Sequence, residues 1–109
     1  MPKRVRRSTI PPRVLGGERV VCFARLDSGA QRTGKTRHVV LGADAGPSFH
    51  ALVITEADDS EGAHSLFYCD ADWNIVSDTW HRSLEDAKHQ AEFEYEGIGH
   101  AWRTHPPES

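Results

Sequence analysis

The segment Gly29-Ala30-Gln31-Arg32-Thr33-Gly34-Lys35-Thr36 satisfies the phosphate-loop pattern G-x-x-x-x-G-K-[ST]. In such a loop backbone N–H groups curl around phosphate oxygens. Lys35 would reach the outer phosphates and the Thr36 hydroxyl would hold magnesium. That chemistry needs a helix next, with its N-terminus aimed at the phosphates. The chain instead continues through Thr36–Gly42 (TRHVVLG), whose β-branched residues and closing glycine favour a strand. The βαβ alternation of phosphate-loop enzymes is missing as well. Gly29, Gly34, Lys35 and Thr36 are therefore expected in a polar hairpin loop, with no cofactor. Nucleotide binding through residues 29–36 stands as an alternative function.

The other reactive residues form no recognised set. Seven histidines are present, yet none lies in an HExxH or HxH pair, so no metal site is expected. Asp70, Asp72 and Asn74 resemble the opening of a calcium loop. Ile75 stands where that loop needs glycine, and His81 where it needs glutamate, so the cluster reads as turn chemistry. Asp78 and His81 could serve as an orienting carboxylate and a base, but no nucleophile accompanies them. No catalytic residue is assigned. Cys22 and Cys69 sit in apolar runs without CxxC spacing and read as buried thiols, which fits a cytoplasmic protein; in an exported one they could pair.

These residues must be positioned by one domain, since 109 residues leave room for no more. Extended segments are expected at Arg19–Leu26, Arg37–Ala43, Ser48–Thr55, Ala63–Asp70 and Ile75–Thr79, with a short one in His100–Thr104. The helix is the clearest element. Ser83 suits an N-cap, Glu85 and Asp86 occupy the first turn, and Leu84, Ala87, Ala91 and Tyr95 share one face. Gly97 suggests a Schellman ending in which Phe93 touches Ile98. The expected fold is α+β: an antiparallel sheet of four to six strands on one C-terminal helix, about residues 83–96. One such helix covers one face, yet several strands are apolar on both, which suggests a homodimer.

The ends differ from this body. Residues 1–17 carry Lys3, Arg4, Arg6, Arg7 and Arg13 with no acid, whereas the remainder has a net charge of −8. Together with its prolines and glycines, this marks 1–17 as a flexible, disordered basic arm, 18–104 as the domain and 105–109 as a tail. A basic arm gives nucleic-acid binding as a further alternative, although the acidic body disfavours a phosphate backbone. No apolar run is long enough for a membrane span.

Residues 67–102, FYCDADWNIVSDTWHRSLEDAKHQAEFEYEGIGHAW, resemble a module of small bacterial proteins: D-x-x-W, D-T-x-H, then S-L-E-x-A-x-x-Q-A-E-x-E. The resemblance implies a strand, a turn and a helix in that order, and no activity. The favoured function is a small non-enzymatic protein-interaction module, immunity- or antitoxin-like or self-associating. Its candidate surface is Trp73, Asp78, Trp80, His81 and Phe93, residue types common at protein contacts.

Overall fold

The computed structural model describes residues 10–26, 31–33, 39–40, 43–44, 49–57 and 62–104. Strands β1 (Val14–Leu15), β2 (Glu18–Arg25), β3 (Gln31–Arg32), β4 (Val39–Val40), β5 (Ala43–Asp44), β6 (Ala51–Glu56), β7 (His64–Cys69) and β8 (Ile75–His81) precede helix α1 (Leu84–Glu94). After it come β9 (Tyr95–Glu96), a 3-10 turn at Ile98–His100, and β10 (Arg103–Thr104). The architecture is α+β, as expected: a six-stranded antiparallel sheet and one C-terminal helix.

The sheet runs β1-β2-β6-β7-β8, and β10 also pairs with β2. Its central strands are apolar on both faces because both faces are buried. Cys22, Leu52, Ile54, Leu66 and Tyr68 face α1, where Ala87 and Ala91 let the helix approach closely. Val20, Phe23, Ala51, Val53, Phe67 and Cys69 form a second core on the opposite face. A register shift between Val20 and Cys22 explains why these two neighbours on alternate positions serve different cores.

The second core is closed from within the chain. Ile10 and Leu15 pack on it, and Trp73 lies edge-on to Phe23, with ring centroids 6.0 Å apart at 88°. The sheet includes Val14–Leu15, paired to Glu18–Arg19. Gly16 makes this crossing possible. Its φ of +60° suits glycine, and a Cβ there would lie 2.9 Å from Phe67 Cζ. The argument for a homodimer from an uncovered face therefore lapses, since residues 10–15 and Trp73 lie over that face.

Two local expectations are corrected. Val39–Val40 does not join the main sheet but pairs with Ala43–Asp44. The helix stops at Glu94 rather than 96, and it has no Schellman ending. Tyr95 turns extended, with φ −135°, and Gly97 takes the left-handed conformation only two residues later. Strand pairing between Tyr95–Glu96 and Gln31–Arg32 competes successfully for these residues. The last-turn carbonyls of Phe93 and Glu94 are capped from outside: the Thr33 hydroxyl donates to Phe93 O at 2.7 Å, and Thr33 N–H to Glu94 O at 2.8 Å. At the other end Ser83 caps as expected, its Oγ accepting from Asp86 N–H at 3.0 Å.

Candidate functional site

A line of polar side chains runs between α1 and the β7–β8 side of the sheet. Thr79 and His81 lie two apart on β8, so both point to the helix face. The Thr79 hydroxyl is 2.7 Å from His81 Nε2, and His81 Nδ1 is 3.2 Å from an Asp86 carboxylate oxygen. Thr79 also bonds the Tyr68 phenol. The phenol donates to Glu94 Oε2, which accepts a second bond from Gln90 Nε2 at 2.9 Å. Burial first, and the Glu94 carboxylate second, push the Tyr68 phenol well above its ordinary range. Tyr68 is thus a neutral donor at any ordinary pH.

Hydroxyl, imidazole and carboxylate in this order form the set used in acyl transfer. Here the hydroxyl is engaged on both sides, by His81 and by Tyr68, inside a buried network. The arrangement fastens the start of α1 to β8 through Asp86 and its last turn to β7 through Glu94. Sequence reading misses it because the phenol that Glu94 accepts from lies 26 residues away, on β7. Two signals exist: Gln90 stands four residues before Glu94 on one helix face, and a tyrosine in a buried strand needs a partner for its hydroxyl.

The sequence-predicted surface separates into two groups. Trp73 and His81 are buried and belong to the interior. Trp73 fills the second core from a left-handed backbone, φ +67°, inside a turn organised by Asp70. Asp70 Oδ1 accepts the N–H groups of Asp72 (2.9 Å) and Asn74 (3.0 Å), and Oδ2 accepts from Asn74 Nδ2 (3.1 Å). Partial burial opposes ionisation of Asp70, but these bonds outweigh it and hold the carboxyl below its usual range. The cluster is turn chemistry, as expected. Asp78, Trp80 and Phe93 remain at the surface, Trp80 being 61% exposed and Phe93 48%.

Gly29, Gly34, Lys35 and Thr36 lie outside the described residues, as do Lys3, Arg4, Arg6 and Arg7. Arg13 is exposed, and its carbonyl accepts from Val20 N–H at 2.8 Å. Within the phosphate-loop match, Gln31–Arg32 is extended and paired to β9, and the next described residues beyond the match, Val39–Val40, are strand. Glu56, at the end of β6, is engaged by Arg19 at 2.9 Å. Cys22 and Cys69 are free thiols on opposite faces of the sheet, too differently directed to pair. Burial pushes Cys22 up to about 11 and Cys69 to about 12. Among the described residues no three His, Cys, Asp or Glu side chains are grouped as metal ligands would be, and no helix is long and apolar enough to cross a membrane.

Family models, curated proteins and solved structures give no match to this chain.

Proposed function

We propose that this chain is a small non-enzymatic protein-interaction module acting through the outer strand β8. The observation that carries this reading is Trp80. Both cores are closed from within, yet this indole stands largely in solvent beside the charged Asp78. Large aromatic side chains ringed by polar residues are typical anchors of protein contacts. The acidic body suits a basic partner, which is the chemistry of an immunity or antitoxin-like protein.

The test is a photo-crosslinking residue at position 80, with the exposed position 12 as control. A discrete protein adduct from position 80 and none from position 12 supports the reading. Adducts from neither position refute it. The other two readings, nucleotide binding at Gly29–Thr36 and nucleic-acid binding by the basic arm, have no structural observation in their favour. Titration with ATP and magnesium, with Lys35→Ala as control, tests the first. Binding of duplex DNA at two salt concentrations tests the second.

A further inference from the structure

Glu94, Tyr68, Thr79 and His81 form one line of hydrogen bonds joining α1, β7 and β8. The line has three gaps: Glu94 to Tyr68, Tyr68 to Thr79, and Thr79 to His81 Nε2. Each gap needs one proton between its two heavy atoms, and each hydroxyl carries one. A carboxylate only accepts, so the phenol proton goes to Glu94. Thr79 must then give its proton to the phenol oxygen. The hydroxyls leave none for the 2.7 Å gap between Thr79 Oγ1 and His81 Nε2, so the ring nitrogen must bring its own.

The other ring nitrogen is a donor as well. His81 Nδ1 lies 3.2 Å from an oxygen of Asp86, whose carboxylate is more than half exposed and accepts only. A neutral imidazole has one N–H, and these two donations need two. The proton belongs at this end of the line rather than on Glu94. Gln90 Nε2 donates to the same Glu94 oxygen as the phenol, and an oxygen that accepts twice is that of a carboxylate.

We propose that the folded chain holds His81 as an imidazolium, donating from Nε2 to Thr79 and from Nδ1 to Asp86, and that release of one proton to water breaks the line that ties α1 to the sheet. Thr79 then has one proton for two acceptors, so either the phenol or the ring loses its bond. This goes beyond the interaction-module reading and does not depend on it. Other charged or titratable groups surround the line. His64 lies across from His81 on β7, its Nδ1 2.7 Å from Gly62 O, and Glu56 lies across from His64 on β6. Tyr95 stands near Tyr68, and Lys88 of α1 lies over the Trp102 ring. Asp86 and Glu94 favour a cation at His81, and a charged His64 opposes it.

An unfolded histidine gives up its proton above about pH 6.5. Because the folded line keeps that proton, its stabilisation is complete below this value and is lost as pH rises. One proton changes the unfolding constant by up to about tenfold per pH unit. Urea unfolding of the full chain from about pH 6 to 8.5, for wild type, Thr79→Val and Thr79→Ser, tests this. Without the hydroxyl the ring needs only its Nδ1 proton, and groups common to both proteins, His64 among them, cancel in the ratio of their unfolding constants. The advantage of wild type over Thr79→Val is expected to shrink with rising pH by about threefold or more per unit, and Thr79→Ser should follow wild type. A second measurement needs no change to the line. Nitrogen NMR of the wild-type histidine rings near pH 7, with His81 assigned through His81→Gln, is expected to show both of its nitrogens protonated. A pH-independent advantage, a Thr79→Ser variant that behaves as Thr79→Val, or a His81 ring with one bare nitrogen overturns the proposal.

Discussion

Replacing Tyr68 with phenylalanine removes one oxygen and leaves the packing of the ring. Tyr68 is fully buried and stacks at 5.1 Å on Phe49, a contact that phenylalanine retains. What disappears is the phenol's bond to Glu94 and its link to Thr79. A hydrogen bond to a charged group contributes about 1.5–3 kcal/mol, and a buried acceptor stripped of a donor bears its desolvation uncompensated. Glu94 keeps Gln90, and Thr79 keeps His81, so neither is wholly stranded. The expected loss is therefore about 2–3 kcal/mol, a large share of the ~5–15 kcal/mol typical of a domain. For a chain of this size that lowers Tm by roughly 10–20 °C. Urea unfolding followed by the fluorescence of the three tryptophans measures it. Gln90→Ala, which leaves the stronger phenol bond, should cost only about 1 kcal/mol. A Tyr68→Phe variant within ~0.5 kcal/mol of wild type would refute the view that this bond holds α1 to β7.

The remaining predictions concern the second core, the thiols and the turn. Gly16→Ala should cost about 2 kcal/mol or more, because it adds a Cβ close to Phe67 to the strain of a positive φ. Gly17→Ala, with φ +81° but open space around it, should cost only about 1 kcal/mol by the same urea assay. Leu15→Ala should cost about 1–2 kcal/mol if residues 10–15 cover the second core, and none if they do not. Both thiols are raised by burial, so their contribution is complete below the unfolded-chain value of 9.0 and is lost as pH rises toward about 11 and 12. Stability should thus fall from about pH 9 upward by roughly 1.4 kcal/mol per unit and per thiol, and Cys22→Ala/Cys69→Ala should flatten that slope. Asp70 is lowered, so the stability it contributes is present above its ordinary carboxyl range and is lost as pH falls through its depressed value. Asp70→Ala should remove this acid dependence, as measured by Tm between pH 2 and 6.

The helix and strands were legible where a local rule decides. Ser83 caps because a serine oxygen there meets the Asp86 N–H, and Ala87 and Ala91 face the sheet because the helical repeat sets them on one side. The turn at Asp70–Asn74 was equally local, its bonds all lying within five residues. Glu94 shows where such rules stop. Only the approach of β7, far away in the chain, supplies the phenol that it accepts from. Trp73 and His81 carry the side chains of a contact surface, but the fold draws both inside.

By itself, the sequence determined the class of fold, the order of its main elements and the helix start. These depend on periodicity and on groups a few residues apart, which the chain fixes before it folds. Only the tertiary structure decided that the second sheet face is closed by residues 10–15 and Trp73, that the helix ends on Thr33, and that Trp80 stays outside. Each of these turns on residues far apart in the chain and brought together by packing. Two apolar faces state that both must be covered, and they do not say by what.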